Sequence, residues 1–156
     1  MKKLLLLSAF LMTASVVMAQ QQKGDFQVQA QAAYYNIDGF DFGNIYFSGS
    51  KFVTDRVEVG IQPNITISSV TSVNMTVFGN YSFLSSNAQM VPYVGAGITF
   101  YDLGSDAALT GFNLRGGLRY FVSERVNIDV GPNIVLLEGS NLFILNAGLG
   151  YIFGKR

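Results

Sequence analysis

The sequence contains no cysteine, no histidine and no tryptophan, and only three prolines. Without cysteine there is no disulfide, no thiolate metal site and no thiol to carry a lipid anchor. Without histidine the chain lacks an imidazole base and the commonest metal ligand. Charge is scarce too. Asp, Glu, Lys and Arg make up 13% of the residues, against about 25% in a water-soluble domain, so much of the surface is expected not to face water. Ten basic residues balance ten acidic ones, with no basic block, and nothing points to a nucleic-acid partner. At 156 residues there is room for one domain.

The one long apolar run is at the start. Met1-Lys2-Lys3 is a basic leader, followed by an apolar stretch from Leu4 to Val17 and small residues around Val17-Met18-Ala19. That order reads as an export signal, residues 1–19, cleaved before Gln20. The run from Leu4 to Ala19 is 16 residues, broken by Ser8, Thr13 and Ser15, whereas a spanning helix needs about 20. Without Lys2 and Lys3 the remaining chain carries eight basic and ten acidic residues. No later run is long enough for a helical span, so a membrane-embedded chain would have to cross as strands.

The remaining residues, 20–156, alternate with a period of two. Side chains on a strand point to opposite faces, so a barrel in lipid should read apolar-out and polar-or-small-in over about 9–11 residues. Phe26, Val28, Ala30, Ala32 and Tyr34 alternate with Gln27, Gln29 and Gln31. Val57, Val59 and Ile61 oppose Glu58, Gly60 and Gln62, while Val73, Met75, Val77 and Tyr81 oppose Asn74, Thr76 and Asn80. Val94, Ala96, Ile98 and Phe100 oppose Tyr93, Gly95, Gly97 and Thr99. Phe112, Leu114 and Leu118 oppose Asn113, Arg115 and Arg119; Ile128 and Val130 oppose Asn127 and Asp129. Leu145, Ala147, Leu149, Tyr151 and Phe153 oppose Asn146, Gly148 and Gly150. A weaker segment, about Asp41 to Phe52, turns Ile45 and Phe47 outward. The count is eight, an even number that closes without an edge. The reading is an all-β, eight-stranded antiparallel up-and-down transmembrane barrel. A soluble lipocalin-like ligand carrier is the alternative, but it would put charge outside; here Lys51 shares the Val/Ile face, while most strand charges lie on the other.

The turn Phe52-Val53-Thr54-Asp55-Arg56-Val57 returns 69 residues later as Phe121-Val122-Ser123-Glu124-Arg125-Val126, and Pro63-Asn64-Ile65 returns as Pro132-Asn133-Ile134. Seven of fourteen positions are identical over these stretches. This suggests two related halves of four strands, or convergence on one tight-turn grammar; either places both turns on one rim. With the N-terminus in the periplasm that rim is periplasmic, together with a turn near Leu84–Gln89. The opposite connections, Asn36–Phe40, Ser68–Ser72, Asp102–Thr110 and Leu137–Ser140, are short. Aromatic residues gather at both levels, as interfacial anchoring predicts. Pro63 and Pro132 fall inside strands, where each removes a ladder hydrogen bond; a matched bulge, or an exit from the hydrocarbon zone, is expected there.

Three segments carry a family likeness: Val91-Pro92-Tyr93-Val94-Gly95-Ala96-Gly97, Gly116-Gly117-Leu118-Arg119-Tyr120-Phe121 and Gly148-Leu149-Gly150-Tyr151-Ile152-Phe153. With them the chain resembles the OmpA/OmpX-type small outer-membrane barrels, often labelled porin-like. The resemblance implies a bacterial outer-membrane location, lipid as the surrounding partner, and a monomer inserted by the barrel-assembly machinery through an aromatic-ended last strand. Here Gly154-Lys155-Arg156 follow Phe153, a departure from that ending. Members include adhesion or invasion proteins, structural barrels, narrow pores and a few enzymes, so fold does not choose among tasks. The barrel enzymes resemble catalysts that use histidine, which this chain lacks, and no enzymatic role is expected.

The candidate site is a polar network in the lumen: Glu58, Arg115, Arg119 and Asp129. Arg119 and Asp129 flank one hairpin, within reach of a bidentate pair. An eight-stranded barrel is only wide enough for side chains to fill, so Glu58 is expected to join across the interior. Two cations and two anions would then form a charge-balanced structural plug, with an ion-selective or narrow passive pore as the alternative. Nothing points to a cofactor or a metal. Gly95-x-Gly97 lacks a phosphate-loop continuation, and Asp38, Asp41, Asp102 and Asp106 read as solvated loop carboxylates, not a Ca²⁺ site. The sequons at Asn64, Asn74 and Asn80 read as inward polar residues spaced by two. The function expected is a structural or surface-interaction barrel.

Overall fold

The computed structural model describes residues 21–37, 40–67, 71–84, 89–101, 109–138 and 140–154. The export signal and its cleavage point therefore lie outside the described residues, as do Asp38, Asp102 and Asp106. Eight strands run in order: β1 (Phe26–Ile37), β2 (Phe40–Phe52), β3 (Val57–Ile67), β4 (Thr71–Ser82), β5 (Met90–Tyr101), β6 (Leu109–Phe121), β7 (Val126–Leu137) and β8 (Ser140–Phe153). Each pairs antiparallel with the next, and β8 pairs with β1 from Phe26↔Phe153 to Tyr35↔Ile144, closing the barrel. The shortest strand has 11 residues and the longest 14, enough to cross the hydrocarbon layer when tilted.

The alternation read from the sequence is the alternation of the wall. On β5 and β7 exposed and buried residues alternate along the strand. The exposed face carries the large apolar residues, among them Ile45 at 71% and Phe47 at 61% exposure. Gln27, Gln29, Gln31, Asn80, Asn113 and Asn127 are buried. Apolar-out and polar-in is the reverse of a water-soluble barrel, so the lipocalin-like alternative is set aside. An apolar exterior continuous around the barrel far exceeds the few hundred Å² of apolar patch that a soluble monomer tolerates.

We call the rim that carries Asp25 and Gly154 the terminal rim and its opposite the distal rim. At the terminal rim the sequence repeat is a repeat of structure. The amides of Val53 and Val122 donate to the carbonyls of Val57 and Val126, both at 2.9 Å. The Thr54 hydroxyl accepts from the Val57 amide at 2.9 Å, and the Ser123 hydroxyl accepts from the Val126 amide at 3.1 Å. Arg56 donates to the Tyr81 hydroxyl at 3.2 Å; Arg125 is hydrogen-bonded to Tyr151, which raises its guanidinium pKa. Phe52 and Phe121, which open the two copies, are both fully buried. They turn inward beside Val91 and Ile152 and form an apolar floor across this end. Outside, Tyr81 meets Phe83 and Tyr151 meets Phe153 edge-on, at 5.2 and 4.7 Å between ring centres.

The repeated prolines, Pro63 and Pro132, do not make bulges. Pairing of β6 with β7 passes from Arg115↔Asn133 to Leu118↔Val130, three residues on each strand, so none is inserted. The ladder lapses between these pairs, where Gly116 and Gly117 lie against Gly131 and Pro132. Proline brings no N–H there, and the backbones draw so close that a β-carbon on Gly131 would collide with the carbonyl oxygen of Gly116. Pro63 repeats the arrangement in part. The β3–β4 ladder runs through Pro63↔Met75 unbroken, whereas described pairing of β2 with β3 stops at Gly49↔Ile61. In both copies the ladder is lost toward the preceding strand and kept toward the following one. Both rings point outward.

A folded barrel is expected to migrate faster in gels before boiling than after, and Gly131→Ala should reduce that fast band. Crowding of well-packed elements costs about 1–3 kcal/mol, and here the obstacle is backbone, which cannot rotate away. Gly79→Ala, whose added carbon meets nothing nearer than 3.7 Å, should fold like the parent. Equal folded fractions for the two variants would refute the close approach.

Candidate functional site

Just above the apolar floor lies the principal charged cluster of the described lumen. Its centre is Arg119, third from the end of β6 and 1% exposed. Antiparallel pairing sets Arg119 directly opposite Asp129 on β7, and the two are joined by Nε to Oδ1 at 3.0 Å and Nη2 to Oδ2 at 3.1 Å. Across the lumen Nη2 also donates to Glu58 Oε2 at 3.0 Å. The third nitrogen, Nη1, donates at 3.1 Å to Gln21 Oε1, which comes from the segment preceding β1. The plane of the guanidinium is flanked by the rings of Phe52 and Tyr93, 5.5 and 5.6 Å away.

Each anion has further partners. Glu58 accepts from the Ser50 hydroxyl on β2 and from Asn80 Nδ2 on β4 at 3.3 Å. Asp129 accepts from Gln29 Nε2 at 2.7 Å, and Gln29 in turn accepts from Gln31. Gln27 donates to Asn127 at 3.1 Å one layer lower. The glutamine ladder of β1 thus ties to β7 across the terminal half of the lumen. Such a dense set of charge-assisted bonds is what a buried ion requires, because desolvation otherwise exceeds the attraction between the charges.

Of the four residues the sequence nominates, the structure brings three together. Glu58, Arg119 and Asp129 meet; Arg115 does not join them. Four positions before Arg119 on the same inward face, its guanidinium carbon sits 4.3 Å over the Phe78 ring. The expected neutral quartet is therefore a trio of one cation and two anions, with the second cation stacked on an aromatic ring nearer the middle. Phe78, a large inward ring lying against Gly60 and Gly97, is the partner that Arg115 takes instead. Sequence reasoning also passed over Gln21, Ser50 and Asn80 as members of the cluster. Inward placement of Ser50 and Asn80 was legible from the period of two; the reach of Gln21 was not, since it precedes the first strand.

Beyond Arg115 the lumen changes character. A cavity of about 240 Å³ is bounded by amides and hydroxyls from β2 to β7, and by apolar side chains of β7 and β8 on one wall. Of the sequon asparagines, Asn64 and Asn74 line this cavity, while Asn80 serves the ion cluster.

No protein-family model matches this chain, and neither does any curated protein sequence. Solved structures do match in shape. The N-terminal β-barrel domain of Pseudomonas aeruginosa OprF superposes with a TM-score of 0.71 at 20% identity, over 85% of this chain and all of that one. P. aeruginosa outer-membrane protein OprG gives 0.63 at 13% identity, over 88% of this chain and all of its own. A de novo designed transmembrane β-barrel gives 0.63 at 17%, over 86% and 99%. The fold is that of the small eight-stranded transmembrane barrels. A designed barrel fits it as well as OprG does, so the likeness speaks to architecture and not to task.

The cluster predicts an asymmetric mutational response. Arg119→Met leaves two buried anions without a cation and should cost about 3–5 kcal/mol, read as a lower urea midpoint for unfolding from lipid vesicles. The triple variant Arg119→Met, Glu58→Gln, Asp129→Asn removes all three charges together and should recover most of that loss. A triple variant less stable than Arg119→Met would show that the ions stabilise by more than mutual neutralisation.

Proposed function

We propose that this protein is an integral barrel of the bacterial outer membrane with a structural or surface-interaction role, closed to ion flow by the cluster around Arg119. In this reading the export signal is removed before Gln20, and the barrel-assembly machinery inserts the chain as a monomer through its aromatic last strand. The terminal rim faces the periplasm, the distal rim faces outward, and the protein catalyses no reaction. The observation that carries the closed lumen is the position of Arg119. It is bonded at once to β7, to β3 across the barrel and to Gln21 below, with Phe52 and Phe121 beneath it. An ion crossing this level would have to part a buried charge from both of its counter-ions. The apolar exterior and the paired aromatic residues at the terminal rim support the membrane placement. Connections between described strand ends at the distal rim are short, from Ile37 to Phe40 and from Leu137 to Ser140 for example, which favours a contact surface of modest extent.

The deciding measurement is conductance in planar bilayers. The folded protein should give no discrete current steps above background. Steps in the unaltered protein whose size changes in Arg119→Ala or Asp129→Ala would replace this reading with a narrow passive pore.

A further inference from the structure

The ion cluster occupies only the terminal half of the lumen; the distal half holds a chamber of a different chemistry. Its volume is about 240 Å³, below the range of about 300–1,000 Å³ typical of sites for drug-sized ligands. A single small ring fits that scale. Six side-chain amides face it: Asn44, Gln62, Asn64, Asn74, Asn113 and Asn133. Thr76 and Thr99 add hydroxyls, hydrogen-bonded to one another at 2.7 Å, with Asn113 Nδ2 donating to Thr99 at 2.6 Å. The opposite wall is apolar, made of Val135, Leu142 and Ile144.

Three features narrow what such a chamber takes. No Asp, Glu, Lys or Arg lines it among the described residues, so a charged guest would lose hydration with no counter-charge to offset it. Every amide presents both a donor and an acceptor, and a hydroxyl is likewise both; a wholly apolar guest would strip water from those donors and acceptors that the wall does not already pair, at about 1–3 kcal/mol each. The side chain of Asn133 lines the chamber, and its Oδ1 atom is buried without a hydrogen-bond partner, an acceptor for which the wall supplies no donor. A ring carrying hydroxyls on its edge and C–H groups on its face matches both walls together. We propose that the distal lumen is a binding chamber for one neutral, hydroxyl-rich ring of monosaccharide size, either a free sugar or the terminal residue of a glycan. The chamber lies on the far side of Arg115 from the ion cluster, and its occupancy does not depend on whether the cluster blocks current.

The test is saturation-transfer NMR on the folded protein in a phosphocholine detergent, which carries no sugar of its own. Glucose and maltotriose are the neutral probes; glucuronate and glucosamine at neutral pH are the charged ones. A response from glucose identifies a free-sugar site, and a response from maltotriose alone identifies a glycan terminus. Glucuronate and glucosamine should bind at least ten-fold more weakly. Asn133→Leu should weaken the neutral response about ten-fold, and Thr76→Phe, which fills the chamber, should remove it. Lys51→Gln on the outer wall should leave it unchanged. The unboiled fast-migrating band verifies that each variant is folded, and either chamber variant suffices if the other fails to fold. No response to either neutral probe, equal responses to charged and neutral sugars, or a response that survives in a folded chamber variant would overturn the proposal.

Discussion

The constraint on which everything else rests is that a strand surrounded by hydrocarbon has no water to satisfy its backbone. Each unpaired N–H or C=O there costs several kcal/mol, so the wall must pair with itself all the way round. Closure of β8 onto β1 over ten registered positions meets that demand. It also fixes which side chains point inward, because the period of two leaves no freedom once the outer face is apolar. The glutamines of β1 are inside for this reason before any of them has a partner.

Once the inward set is fixed, the interior has to be solved as a packing problem. Eight strands enclose little more than their own side chains, and this chain fills the space in layers. Phe52, Phe121, Val91 and Ile152 close the terminal end. Arg119 with its two anions and the glutamine–asparagine bonds form the next layer. Arg115 stacked on Phe78 comes next, and the amide chamber lies beyond it toward the distal rim. Inward glycines decide where the layers fit. A β-carbon on Gly150 would strike Asn127, and one on Gly97 would strike the backbone of Val77. These are places where the wall makes room for a neighbour, not gaps.

Strand number, order, facing and the inverted polarity were all legible in the sequence, because they follow from the period of two and from the repeated turn. Even the shared role of Thr54 and Ser123 as turn acceptors follows from the 69-residue repeat. The charged site was legible only in part. Asp129 and Arg119 could be paired from hairpin register, and Glu58 could be drawn in from barrel width. Arg115 is instead stacked on the ring of Phe78, which lies 37 residues away in sequence. Gln21 belongs to no strand, so periodicity carries no information about it. The prolines show the same limit. Their positions announced a lost hydrogen bond, but the sequence did not tell a bulge from a lapse in the ladder, which depends on how closely Gly116 and Gly131 approach.

The unequal division of the lumen coincides with a difference in pairing along the seam between β2 and β3. The ion cluster draws on β3, β6, β7 and the segment before β1, near the ends of strands tied together by tight turns. At this level β2 and β3 are laddered from Gly49↔Ile61 to Phe52↔Glu58. A buried ion pair needs such a frame, since a displacement of an ångström would forfeit bonds that offset its desolvation. Farther toward the distal rim, described β2–β3 pairing lapses and Asn44 donates across the seam to Asn64 at 3.0 Å. Neutral amides tolerate that looser setting, because an amide that shifts can exchange one partner for another or for water at small cost. Charge is therefore confined to the half of the barrel that can hold it still, and the half that cannot is lined with groups able to accept a guest.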